Sequence, residues 1–157
     1  MGVEIERRFL VDRLPAVDLG TGTDIRQGYL VDDGPIVVRV RRTADGDRLT
    51  IKSAAALART EVELPLDQAD AEQLWALTTG RRVHKTRHRL ELDGPVAEIV
   101  AEIDVFADAL DGLVVVEVEF PTTDAAGAFS PPAWFGREVT GDHRWSNASL
   151  AVHGIPR

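Results

Sequence analysis

RRVHKTRHRLELDG (81–94), VAEIVAEIDVF (96–106) and LVVVEVEF (113–120) form one stretch in which charged and apolar residues alternate. Asp93-Gly94 and Asp111-Gly112 are the turn signals between its parts. A period of two is that of a β-strand, whose side chains point to opposite faces in turn. One face therefore carries Lys85, Arg87 and Arg89, then Glu98, Glu102 and Asp104, then Glu117 and Glu119. The other carries Ile99, Ile103 and Val105, then Val116, Val118 and Phe120. Three such strands joined by short turns predict an antiparallel sheet.

The same pattern continues toward the N-terminus. Strands are predicted over VEIERRFLV (3–11), DIRQGYLV (24–31), PIVVRVRRT (35–43), DRLTIKS (47–53) and RTEVELPL (59–66). Glu4, Glu6 and Arg8 share a face, as do Arg39 and Arg41, Thr50 and Lys52, and Glu61 and Glu63. Val3, Ile5 and Phe9, Val38 and Val40, and Val62 and Leu64 lie opposite and are expected to face a core. Between residues 67 and 80 the period changes. Asp67 can cap a helix over DQADAEQLWALTTG, with Leu74, Trp75 and Leu77 apolar and Gly80 as its stop. A short helix near Thr123–Phe129 and a last one over SNASLAVHG, capped by Ser146, complete an α+β, mainly β chain.

The chain has 157 residues, which fits one domain over 1–157 with one core. There is no cysteine, so thiolate metal sites, disulfides and thiol nucleophiles are excluded. The opening MGVEIERR has no apolar segment of a secretory signal, and Glu6 breaks a myristoylation motif. No apolar run approaches a membrane span, and a net charge of −8 argues against nucleic acid. The expected setting is the cytoplasm, with neither membrane nor nucleic acid as partner. The oligomeric state, a homodimer included, stays open. No Gly-rich phosphate loop is present, and His84, His88, His143 and His153 have no metal-ligand spacing.

For a single strand, charges opposite an apolar face mean that the charges meet water. The set points elsewhere. Nearly every strand shows the pattern, and most charged faces carry one sign, although like charges side by side repel. Of eighteen cationic residues only two are lysines, and both Lys52 and Lys85 fall on this face. The sharper reading is a closed eight-stranded antiparallel β-barrel with a charged interior and a few flanking helices, wide enough for one small ligand. Arg and Lys there suit a polyanion. The carboxylates suit a hard divalent cation, Mg²⁺ or Mn²⁺.

Glu4-Ile5-Glu6-Arg7-Arg8-Phe9 resembles the ExExK opening of the CYTH domain, the triphosphate tunnel metalloenzyme family. The resemblance runs in order through Gln27-Gly28-Tyr29-Leu30, Arg39-Val40-Arg41, Ile51-Lys52, Glu61-Val62-Glu63 and Lys85-Thr86-Arg87. It continues with Ile103-Asp104-Val105-Phe106, Val116-Glu117-Val118-Glu119-Phe120 and Asp142-His143-Arg144-Trp145-Ser146-Asn147. It implies an eight-stranded tunnel that binds triphosphate with Mg²⁺ or Mn²⁺. Metal ligation is implied for Glu4, Glu6, Glu117 and Glu119, with Glu61, Glu63 and Asp104 nearby. Phosphate binding is implied for Arg39, Arg41, Lys52, Lys85 and Arg87, with Arg144 an addition. The implied activity is metal-dependent hydrolysis of a linear triphosphate, inorganic tripolyphosphate first. A class IV adenylyl cyclase, a thiamine triphosphatase and a non-catalytic polyphosphate or nucleotide binder are the alternatives. Two positions depart from the pattern. Arg8 stands where the family usually has a Lys that positions or activates the attacking water, and an arginine cannot serve as a base. Tyr29 is the candidate to orient Arg8 or that water. Trp145 replaces a common Tyr and is expected to pack.

Overall fold

All eight predicted strands form. In the computed structural model, which describes residues 4–53, 60–93 and 99–157, they are β1 (Ile5–Leu10), β2 (Thr23–Val31), β3 (Ile36–Thr43), β4 (Gly46–Ser53), β5 (Glu61–Leu66), β6 (Arg82–Leu92), β7 (Ile99–Phe106) and β8 (Val114–Phe120). The helices are α1 (Gln68–Ala76), α2 (Thr123–Ala128) and α3 (Asn147–His153). The caps act as the sequence predicts. Asp67 Oδ1 accepts from Asp70 N at 2.8 Å, and Ser146 Oγ accepts from Ser149 N at 3.1 Å. Val3, Gly94 and Glu98 lie outside the described residues.

The strands make one antiparallel sheet in the order β1-β8-β7-β6-β2-β3-β4-β5. The expected closed barrel would need a ladder between β1 and β5. Among the described residues none joins them, and the sheet is a curled half-barrel with those two strands as its edges. β5 is poorly made for that pairing: it has six residues, and Pro65 among them has no N–H to give. Side chains reach across the seam instead. Lys52 Nζ on β4 lies 3.0 Å from Glu61 Oε2 on β5 and 3.7 Å from Glu4 Oε2 beside β1.

Two apolar clusters hold the curl. On the convex side, Phe9, Ile103, Val116, Val118 and Phe120 pack against Ala126 of α2 and Phe135. Arg7 fastens this cover. Its Nη1 donates to the carbonyls of Ala126 and Phe129, both at 3.0 Å, while its Nε and Nη2 grip Glu138. The second cluster fills one end of the concave side. There Leu10, Val37, Phe106 and Val115 meet Val139, Trp145 and Leu150, so α3 and the turn before it act as a plug. Trp145 packs as expected.

Not every apolar strand face is covered. α1 rests on β3 and β4, where Val40 is fully buried. It does not reach the edge, so Val62 and Leu64, expected to face a core, are 44% and 46% exposed. Leu77 is exposed as well, because α1 ends at Ala76. Gly28 on β2 marks a close approach: a Cβ there would collide with the Thr78 side chain, in the turn after α1.

Candidate active site

The alternation that defines the strands places their charges together on the concave face. Register then sets neighbours: Glu6 opposite Glu119, Arg8 opposite Glu117, Glu117 opposite Glu102, Arg87 opposite Asp104, Tyr29 opposite Arg39, and Arg39 opposite Thr50. They surround a cavity of about 970 Å³. Glu4, Glu6, Arg8, Tyr29, Arg39, Arg41, Lys52, Glu61, Lys85, Arg87, Glu117 and Glu119 all line it. Asp104 sits behind this lining, fully buried. Glu63 does not reach the lining and faces Arg48 at 4.0 Å. Arg144 is also outside it, turned back onto Asp142 by hydrogen bonds of 3.0 and 2.7 Å.

On the wall formed by β1, β8, β7 and β6, cations and carboxylates are matched. Arg8 donates from Nε to Glu117 at 3.1 Å, from Nη2 to Glu6 at 3.1 Å and from Nη1 to the Trp145 carbonyl at 3.3 Å. Burial opposes its charge, but Glu117 and Glu6 outweigh burial and hold its pKa above the usual value. Arg87 forks onto Asp104 at 2.7 and 2.8 Å, and its other amino group donates to Glu102 at 2.5 Å. Lys85 Nζ, 1% exposed, donates to Asp104 Oδ2 at 2.6 Å and to Asn147 Oδ1 on α3 at 3.1 Å. Burial drives the Lys85 ammonium down to about 8 despite Asp104. Burial also opposes the Asp104 carboxylate, yet Lys85 and Arg87 bring it down to about 2. Asp104 is thus the shared counter-ion of two cations.

Nearer the seam, Glu4 and Glu61 share one cation, Lys52. Burial raises the pKa of Glu119, and Glu102, Glu6 and Glu117 raise it further. Burial likewise raises Glu4, which hydrogen-bonds Glu61. Among the described residues, no three acidic or histidine side chains are gathered closely enough to cage a metal as they stand. The donors are nevertheless all carboxylate oxygens, and that chemistry fits a hard divalent cation.

The β3 wall is the reverse. Arg41 donates from Nε to Gln27 Oε1 at 2.8 Å, a neutral partner. Burial, then Arg39 and Arg87, brings its pKa down to about 10. Arg39 Nε and Thr50 Oγ1, both buried, have no hydrogen-bond partner among the described residues. Tyr29 is fully enclosed, its hydroxyl accepts from Gln27 Nε2 at 3.3 Å, and burial raises its pKa. Arg41, aimed by a neutral group and crowded by Arg39, invites an anion with several oxygens.

A 151-residue stretch is 46% identical to an inorganic triphosphatase of Nitrosomonas europaea, covering 95% of this chain and 97% of that one. The chain belongs to the inorganic triphosphatase family. An inorganic triphosphatase of Acetivibrio thermocellus is 35% identical over 152 residues, 96% of this chain and 94% of that one. A crystal structure of an inorganic triphosphatase, 43% identical, superposes with a TM-score of 0.75 over 100% of this chain and 99% of that one. A structure described as a putative adenylate cyclase of Bacillus halodurans shares the fold alone, at 14% identity and a TM-score of 0.53 over 80% of this chain and 84% of that one. No protein-family model matches the chain. Within this family frame, four lumen residues escaped the sequence reading as site residues. Glu102 lay on the charged face without being singled out, and the parity of Tyr29 extends to Gln27. Thr50 carries no charge to mark it. Asn147 follows a helix cap, and nothing local signals its reach to Lys85.

Proposed function

We propose that this protein hydrolyses a linear triphosphate, inorganic tripolyphosphate first, to pyrophosphate and phosphate with Mg²⁺ or Mn²⁺. The observation that carries the reading is the division of one cavity into two walls. On one, Arg39 has a buried Nε with no hydrogen-bond partner among the described residues and Arg41 is held by a neutral amide; on the other, burial and neighbouring carboxylates raise the pKa of Glu4 and Glu119, which Lys52 only partly offsets. A metal–polyphosphate complex supplies what each wall is missing.

Arg39, Arg41 and Lys52 would hold phosphate oxygens, with Lys85 and Arg87 beyond them. Glu4, Glu6, Glu117 and Glu119 would hold the metal, assisted by Glu61. When bound, the metal supplies charge neutralisation and a more acidic water. The chain's own contribution is positioning and fixed charge around an in-line displacement, which is where most phosphoryl-transfer catalysis lies. Arg8, bound by Glu6 and Glu117, is cast as the cross-link that spaces those carboxylates rather than as a base. Asp104 is cast as the counter-ion of Lys85 and Arg87. Glu63 and Arg144 are left to the approaches. The closed tunnel is assigned to the substrate-bound protein, in which a metal–polyphosphate complex would bridge Lys52 on one side of the seam to the carboxylates beside β1 on the other. An inorganic substrate is favoured over ATP or thiamine triphosphate because apolar side chains, Trp145 and Leu150 among them, fill one end of the concave face.

The test is phosphate release from tripolyphosphate, ATP, thiamine triphosphate and pyrophosphate, with and without Mg²⁺ or Mn²⁺. Metal-dependent release favouring tripolyphosphate is expected. Cyclic AMP from ATP would assign a cyclase. Tight tripolyphosphate binding without turnover would assign a binding module and point to Arg8 as the cause.

A further inference from the structure

Gln27 is a large polar side chain with no access to solvent, placed mid-strand on the concave face of β2. An amide in that position is costly unless it is hydrogen-bonded. Its β6 neighbour in the ladder is Val83, which offers it no side-chain partner. Its β3 neighbour is Arg41. Arg41 Nε donates to Gln27 Oε1 at 2.8 Å, and Gln27 Nε2 donates to Tyr29 Oη at 3.3 Å. A guanidinium can only donate, so the amide's orientation is fixed by chemistry: its oxygen must face Arg41 and its nitrogen Tyr29.

The contrast with the other lumen arginines is one of charge. Arg8 and Arg87 are each aimed by carboxylates, which also neutralise them. Arg41 is aimed by a neutral oxygen. We infer that Gln27 is a positioning residue for phosphate binding, an uncharged anchor that orients Arg41 and Tyr29 while leaving the full Arg41 charge to the substrate. The inference rests on the polyphosphate reading of this cavity and adds to it the residue that sets its affinity. Glutamate at this place would keep the size and the acceptor, but would neutralise the cation and compete with phosphate for it.

Binding of tripolyphosphate without divalent metal, measured by calorimetry, tests this with Gln27→Glu, Gln27→Met, Arg41→Ala and the Gln27→Met/Arg41→Ala pair. Melting temperatures serve as the check on folding. Gln27→Met is expected to weaken binding about tenfold, the effect of a lost hydrogen bond to a charged group. Gln27→Glu should weaken it further although it is the closer isostere. Once Arg41 is alanine, Gln27→Met should cost little more, because both changes act through one guanidinium. Unchanged affinity in Gln27→Met, recovery in Gln27→Glu, or additive losses in the pair would overturn the inference. If the variants do not fold, the wild type decides. Its Arg41 Nε–H resonance, assigned with Arg41→Lys, should exchange slowly with water before ligand is added, and fast exchange would overturn the inference. Wild type that fails to bind tripolyphosphate at all would instead overturn the functional reading, and the Arg41 resonance would still decide the anchoring.

Discussion

Arg39 and Arg87 have the same side chain in opposite electrostatic settings. Arg87 is tied to Asp104 and Glu102, whereas Arg39 keeps a buried Nε with no partner. On the proposed reading, Arg39 serves anion binding rather than the fold. Arg39→Ala should lower kcat by about 10²–10³-fold, the range for removing one transition-state donor, with an unchanged circular dichroism spectrum and melting temperature. Asp104 should behave in the reverse way. Its pKa is about 2, below the ordinary 3.8. A lowered carboxylate pKa contributes stability that is complete above about pH 4 and disappears as pH falls through 2. Asp104→Asn should remove that acid dependence and, at pH 7, lower stability by about 3–5 kcal/mol, because Lys85 stays buried without its counter-ion and Arg87 loses its forked partner. Urea unfolding at several pH values would show both effects. Arginine and lysine positions were legible in the sequence, since alternation alone puts them on one face. Their partners were not. Whether Asp104 meets a metal or a lysine depends on the register of β6 against β7, and the Gln27 amide carries no charge to draw notice.

At the level of elements, α3 is short but holds one end of the site. Leu150 is 2% exposed among Phe106, Val115 and Trp145, and Asn147, one turn earlier, accepts from Lys85. Leu150→Ala should destabilise the protein by about 2–5 kcal/mol, the usual range for emptying a buried leucine site, measurable by urea unfolding. The caps made this helix readable, as Ser146 and Gly154 bracket it. Its destination was not readable, because a cap fixes where a helix starts and not what it lies against. The same limit explains β5. Val62 and Leu64 alternate with Glu61 and Glu63 as in any half-buried strand, yet an edge strand beyond the reach of α1 leaves its apolar face in water.

For the whole molecule, strand number, direction and the charged face all followed from period two and turn chemistry. Closure did not, because it depends on whether two distant edges meet. The half-barrel leaves β1 and β5 as ends, linked across the seam by Lys52 with Glu4 and Glu61. The chain thereby keeps its two charged walls on one continuous sheet with an opening between the edges.

The strand order also bears on how the protein is made. Among the described residues β1 has one strand partner, β8, with Ile5 opposite Phe120, while its other edge is hydrogen-bonded by residues 136–139. On the ribosome, β1 must wait unpaired while β2 to β7 emerge, since pairing so distant in sequence forms slowly and late. Glu4, Glu6 and Arg8 thus find Glu117 and Glu119 only when β8 is available. A chain that stops before β8 can hold the arginines of β3 but not the paired carboxylates, so the candidate site is assembled only once β8 joins the sheet.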